Sequence, residues 1–382
     1  MTRPERDASI DLVRGAVMVL MALDHARDFI GDQTRAPLDL ATTTPALFFT
    51  RWITHFCAPV FVLLAGVSAW AAGRSRSPSE ASRLLVTRGL WLVLLELTVV
   101  RFGWLFNVNY RFSFVQVIWA IGWSMVALAA ISRAGARAAL AVGVALIAGH
   151  DLFDGVHAER FGALSWAWRV AHDGGSLTPL EGHRLYVAYP LVPWVGVMAA
   201  GYGIGPWMAR SVDERRGLLL RTGAALTAGF VVLRAINRYG DPTPWSAQAR
   251  AGFTALSFLD CEKYPPSLAY LLMTLGPAML AWGALTGRDL SRARAVITFG
   301  RVPLFYYVLH LPLLHALAGA WVLAHGGLDA VRAASSSRHG AGGSLPVVYG
   351  LWALGIALLW PLCRWFDGVK TRHRGAWWTH YT

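Results

Sequence analysis

Three cysteines in 382 residues, Cys57, Cys261 and Cys363, leave little material for covalent cross-links. Two fall inside apolar stretches, and no pair has disulfide-framework or metal-ligand spacing. A structural disulfide or zinc site is not expected. The chain also lacks any HExxH-like run, so a metal held by His25, Asp24, His55 and His310 has no local spacing behind it, and no metal is expected. No small-residue cleavage site follows the first apolar run, which passes straight into DHARD; that helix should stay in the mature chain. No internal repeat is evident, which disfavours inverted-repeat transporter folds. Short alternating segments are missing too, which excludes a membrane β-barrel.

Apolar length is what the sequence has in abundance. It is 55% hydrophobic with 18 tryptophans, its mean hydropathy is +0.43, and runs long enough to cross a bilayer recur from end to end. The fold class is therefore all-α: a polytopic integral-membrane helical bundle forming a single domain over residues 1–382. The formal charge of +13 would raise nucleic-acid binding in a soluble protein. Here the basic residues are mostly arginines in short connections, a topology signal. Lipid is the expected surroundings, nucleic acid is not, and an oligomer is compatible with the pattern.

About ten spans are predicted, at approximately 10–30, 46–72, 84–106, 112–132, 136–151, 186–208, 217–238, 266–287, 295–324 and 346–366. Arg3 and Arg6, the connection 73–83, Arg133 with Arg137, the connections 209–216 and 288–294, and Lys370, Arg372 and Arg374 would face the cytoplasm. The basic-residue rule then places both termini inside. Two outer connections, 152–185 and 239–265, are long enough to act as lids or binding surfaces. The first holds Asp154, His157, His172, Asp173 and His183; the second holds Asp241, Trp245, Asp260, Lys263 and Tyr264. The connection 326–345 reads as a flexible loop.

The first span carries Arg14 near one end and Asp24, His25, Arg27 and Asp28 near the other. Arg14 and His25 are three helical turns plus about 20° apart, so they share one face, roughly 16 Å apart along the axis. Ionisable groups within a span are costly and point to function, although arginines also anchor at interfaces with a carboxylate beside them. On the second span Arg51 and His55 share a face. On the ninth, Arg301 lies near the inner end, with Tyr306, Tyr307 and His310 at helical spacing and His315 a turn further on. Three spans thus bring histidine to a similar depth. A lone histidine is as readily a helix–helix hydrogen-bonding group. Glu96 with Arg101, and Arg234 with Asn237 and Arg238, read as structural ion pairs or interface residues.

The stretches ASIDLVRGAVMVLMALDHARDF, FFTRWITHFCAPVFVLLAG, YPLVPWVGVMAAGYG, CEKYPPSLAYLLMTLGP, FGRVPLFYYVLHLPLLH and the closing WWTHY together resemble a known family. It is the heparan-α-glucosaminide N-acetyltransferase catalytic-domain family, in its bacterial members. The Arg14–His25 spacing is also similar to the first-helix motif of transmembrane acyltransferases that O-acetylate surface sugars. The resemblance implies an enzyme of a bacterial inner membrane, passing an acyl group from cytoplasmic acetyl-CoA to an outer sugar-type hydroxyl or amine. It makes His25 the catalytic histidine and Arg14 a donor-holding residue. Lysosomal members carry their active histidine just before the second span, where Thr44 to Phe48 here has none; His25 or His55 would serve instead, aided by Asp24 and His310.

Coenzyme A phosphates need arginine-type partners, and Arg14, Arg88, Arg288, Arg292 and Arg301 lie at the inner side. By depth, Arg51, Asp28 and Tyr307 would meet the acceptor or the oxyanion. The rival reading from another class is a small-molecule or proton-coupled transporter using the same His/Asp/Arg cluster as a relay.

Overall fold

The computed structural model describes residues 7–336, 341–373 and 375–381. Arg3, Arg6 and Arg374, and positions 337–340 of the last outer connection, lie outside the described residues. The chain folds mostly into helices. These are α1 (Ala8–Ile30), α2 (Pro45–Trp52), α3 (Cys57–Gly73), α4 (Pro78–Leu95) and α5 (Arg101–Leu105). There follow α6 (Val117–Ile131), α7 (Gly135–Gly149), α8 (Ser165–Trp168), α9 (Leu191–Ile204) and α10 (Val212–Ile236). The series ends with α11 (Ala251–Leu259), α12 (Leu268–Leu285), α13 (Arg294–Arg301), α14 (Pro303–Ser336) and α15 (Leu345–Arg372).

Among the described residues, 6 helical runs are long and apolar enough to cross a membrane: Pro45–Gly73, Val117–Phe153, Val212–Ile236, Leu268–Leu285, Pro303–Val331 and Leu345–Arg372. The run over Val117–Phe153 holds α6 and α7, broken where Gly135 takes a φ of 89°. α1 has the length, but Asp11, Arg14, Asp24, Arg27 and Asp28 lower its apolarity.

Four features depart from the sequence expectation. An all-α reading omits a small sheet of β1 (Phe112–Val115), β2 (Gly175–Leu180) and β3 (His183–Val187), in the order β1-β3-β2. β1 runs parallel to β3 and β2 antiparallel to it. The starts of the predicted fourth and sixth spans are thus strands, because their aromatic and β-branched residues pair across the chain at one end of the bundle. The predicted ninth span is broken at Val302 (φ −125°, ψ 49°). Pro303 cannot donate to the preceding turn, so it opens α14 instead of continuing α13. Finally, helix continues beyond a turn at Gly327 (φ 68°) to Ser336, where a flexible loop was expected; DAVRAAS is rich in helix formers.

α1 lies at the centre, packed against α3, α12, α13, α14 and α15. Its start is fixed by Asp7, whose carboxylate accepts from the Ser9 amide at 2.9 Å. Where α1 crosses α13 the two backbones touch. A Cβ at Gly15 would overlap the Val296 carbonyl oxygen, and one at Gly300 would overlap that of Asp11. Small residues permit this approach where lipid supplies no hydrophobic drive between helices.

Replacing Gly15 by valine should therefore lower the melting temperature of the detergent-solubilised protein by several degrees. Gly217→Ala, with open space around its Cβ position, should leave it unchanged or raise it, since alanine in a helix is worth up to about 1 kcal/mol over glycine. Equal melting of Gly15→Val and wild type would contradict the close crossing.

Candidate functional site

Two cavities meet opposite halves of α1. The lower one, about 340 Å³, is lined by Arg14, Arg88, Arg301 and Lys370, with Met18 and Tyr307 further in. Its volume is within the range of small-molecule sites. Three of the five arginines expected at the donor's phosphates, Arg14, Arg88 and Arg301, thus share one cavity although α1, α4 and α13 supply them. Arg14 is aimed by three partners: the Gly300 carbonyl at 3.2 Å, Ser68 Oγ at 3.1 Å and Asp11 Oδ1 at 3.3 Å. Arg301 also faces a neighbouring basic groove with Arg288, Arg294 and Arg364. Arg292 lines neither.

The upper cavity takes Asp24, His25, Arg27 and Asp28 from α1, Arg51 from α2, and Lys263 from the second long connection. The sheet roofs it with Phe112, Phe114 and Tyr186. Arg101 secures that roof: it donates to the Phe112 carbonyl at 2.8 Å and to Ser113 Oγ at 2.9 Å. Glu96 does related work nearby, its Oε1 accepting from the Gln116 amide at 2.8 Å. Each is structural, as expected, but they do not pair with one another. Arg234 pairs with Asp241 at 3.6 Å and donates to four carbonyl groups of the same outer connection.

Charge in the upper cavity is organised around Asp24. Arg51 Nη1 reaches its Oδ1 at 2.6 Å, and Arg27 Nη2 reaches the same oxygen at 3.2 Å while holding Asp28 at 2.6 Å. Two carboxylates thus face Arg27, Arg51 and Lys263, one positive charge in excess. Lys263 is 6% exposed, and its ammonium lies 5.0 Å from the Tyr264 ring centre. Burial would raise the Tyr264 phenol, but the Lys263 and Arg51 charges outweigh it and hold the group below its ordinary value.

Between the cavities stands a pair of histidines. His25 Nδ1 lies 2.6 Å from His310 Nε2. The ring centres are 4.9 Å apart at an interplanar angle of 21°, so the rings lie edge to edge, nearly in one plane. His310 Nδ1 points at two carbonyl oxygens, Tyr307 at 2.7 Å and Tyr306 at 3.2 Å. A carbonyl only accepts, so the His310 proton sits on Nδ1 and its Nε2 presents a lone pair. His25 must then donate from Nδ1, which leaves the His25 Nε2 lone pair on the side of the upper cavity. Trp104 meets the His25 ring edge-on at 4.8 Å, limiting its rotation. Tyr307 lines the lower cavity and its hydroxyl is buried without a hydrogen-bond partner among the described residues.

Not every expected residue joins this constellation. His55 is fully buried and lines neither cavity. Pro59 has no N–H for the carbonyl four residues back, so the His55 oxygen accepts from the Tyr270 hydroxyl at 2.8 Å instead. Tyr307 opens to the lower cavity, away from Arg51 and Asp28. His315 stacks on Phe106 at 3.9 Å. Sequence reasoning placed neither Lys263 nor Lys370 in a site, yet they are the two lysines of the chain and each lines a different cavity. Lysine scarcity among arginines was the available signal.

The hydrogen-bond chain fixes a measurable property. Nitrogen-15 NMR of the imidazoles should find the proton on Nδ1 in both His25 and His310. A His25 protonated on Nε2 would contradict the geometry.

A comparison with protein families finds a match over residues 6–233 to the family described as "Heparan-alpha-glucosaminide N-acetyltransferase, catalytic". This covers more than half of the chain and ends before CEKYPP, FGRVPLF and WWTHY, three of the stretches that carry the resemblance. No curated protein matches. The family points to a membrane acetyltransferase and does not favour the transporter reading. The chain belongs to the heparan-alpha-glucosaminide N-acetyltransferase catalytic-domain family.

Proposed function

We propose that the protein transfers an acetyl group from cytoplasmic acetyl-CoA, across the membrane, to a sugar-type hydroxyl or amine on the outer side. The observation that carries this reading is the His25–His310 pair standing between a cavity with four cations and a second cavity with paired carboxylates. The family match supports the class of reaction. In this reading the chain crosses a bacterial inner membrane about ten times as one domain, with both termini and the lower cavity inside.

Arg14, Arg88, Arg301 and Lys370 hold the donor's phosphates, for which guanidinium forks suit planar oxygen pairs. The pantetheine arm follows α1 upward, and the roughly 16 Å rise from Arg14 brings the thioester to the histidines. His25 Nε2 takes the proton from the acceptor as its oxygen or nitrogen bonds to the thioester carbonyl carbon. The carbon–sulfur bond then breaks, and the sulfur leaves with the proton returned by His25. Free thiol and acetylated acceptor are the products, so protons and bonds balance. The unpartnered Tyr307 hydroxyl donates to the developing oxyanion from below. His310 keeps His25 in the productive tautomer, while Asp24 and Arg51 hold the rim against which the acceptor docks beside Asp28. His55 stays a reserve candidate only if His25 proves dispensable.

Purified protein in detergent should bind acetyl-CoA saturably and release free thiol slowly with water as acceptor. His25→Ala should bind donor normally and lose release by a factor on the order of 10²–10⁴, the usual worth of a general base. Arg14→Ala should weaken donor binding roughly tenfold or more, as expected for a charged hydrogen bond. Absence of donor binding by folded protein would sink the acetyltransferase reading and return the carrier reading to favour.

A further inference from the structure

Away from both cavities, the end of α7 and the loop after it gather two histidines and a carboxylate. His150, Asp154 and His172 each offer a ligand atom, all within 4.8 Å of one another. His150 is 3% exposed, and neither ring nitrogen makes a well-aligned hydrogen bond among the described residues, although the Pro266 backbone lies near as an acceptor. A buried imidazole held this loosely costs free energy that a bound cation would recover. Its Nδ1 lies 3.1 Å from Asp151 Oδ1, and that oxygen too lacks a hydrogen bond.

His172 supplies a second, independent argument. Both of its nitrogens face oxygen: Nδ1 lies 3.5 Å from Asp173 Oδ1, while Nε2 lies 3.0 Å from the His150 carbonyl and 3.7 Å from Asp154 Oδ1. A neutral imidazole has one proton for these two sides. Either a second proton or a cation at Nε2 resolves the conflict. Asp173 is itself fixed, its Oδ2 accepting from the Ala158 amide at 2.7 Å. A carboxylate beside Nδ1 is the arrangement that orients a metal-ligating histidine, the ion then taking the place of the proton that Nε2 would otherwise share with the His150 carbonyl. Trp168 stacks on the His172 ring at 5.2 Å and holds its plane.

We propose that His150, His172 and Asp154 bind a divalent first-row cation of the zinc class, with Asp173 orienting His172. Two nitrogens and one oxygen suit such a cation better than calcium or magnesium, which take oxygen alone. Zinc bonds of about 2 Å place neighbouring ligand atoms roughly 3–4 Å apart. His172 Nε2 and Asp154 Oδ1, 3.7 Å apart, already meet this spacing, and the Asp154 side chain, 25% exposed, gives the ion its route from solvent. The cation would pin the loop that leads to β2 and β3, the strands beside the upper cavity, to the end of α7. Sequence spacing hides the site, because His172 comes from the far end of that loop.

The test uses tag-free, chelator-treated full-length protein in detergent, titrated with Co²⁺ as the optical probe. The site predicts one saturable Co²⁺ per chain with a visible ligand-field band, displaced by Zn²⁺, and a higher melting temperature with Zn²⁺. Asp154→Asn should weaken binding at least about tenfold, and His172→Gln should abolish the band. Absence of a saturable band in the wild type overturns the proposal without any variant being needed. So does unchanged affinity in both variants, which would assign the ion to exposed histidines such as His157. Thiol release from acetyl-CoA is not the readout, so failure here leaves the acetyl-transfer reading untouched.

Discussion

The cost of placing charge along α1 is the constraint on which the rest depends. Asp11, Arg14, Asp24, Arg27 and Asp28 occupy one central helix, and an unpaired ion in an apolar interior costs several kcal/mol. Partners on α1 itself and on α2, α3 and α13 answer that cost. Asp11 pairs with Arg14 at 3.3 Å, and Asp24 with Arg27 on the same helix and Arg51 from the next one. The Gly15–Gly300 contact brings α13 close enough for the Gly300 carbonyl to meet Arg14. These groupings sit at the two ends of the helix, and the middle is left apolar, which is why two polar cavities form instead of one.

Separation of the cavities is as informative as their contents. Gln116 faces the upper one, while Val117 and Ile118 face the lower. His310 is fully buried, yet it is bonded on one side to the upper cavity's His25 and on the other to the carbonyl of the lower cavity's Tyr307. A phosphate-bearing donor and a polar acceptor would therefore be kept apart except at one point. The imidazole pair is that point, and its tautomers are set by backbone carbonyl groups that cannot donate. Preorganisation of this kind costs nothing at the moment of reaction.

Much of this was legible from spacing alone. Arg14 and His25 lie about three turns apart on one face of α1, and they line different cavities. Histidines from the first and ninth spans at one depth do meet. What could not be read is what depends on breaks in regular structure. The helix tightens over Ile53–Phe56, so Arg51 and His55 do not share one α-helical face as their spacing suggested, and Pro59 frees the His55 carbonyl for Tyr270. The roof strands escaped notice because Phe112–Val115 and His183–Val187 pair across many intervening residues, and each looks like the start of a span. Lys263 arrives from a long connection whose path no periodicity encodes.

The measurement that tests the central claim most directly is a structure of the protein with a non-hydrolysable thioether analogue of acetyl-CoA. The account places the phosphates among Arg14, Arg88, Arg301 and Lys370, and the acyl carbonyl within hydrogen-bonding reach of the Tyr307 hydroxyl, beside His25. A donor bound on the upper side, or one whose acyl end points away from the histidine pair, would contradict it.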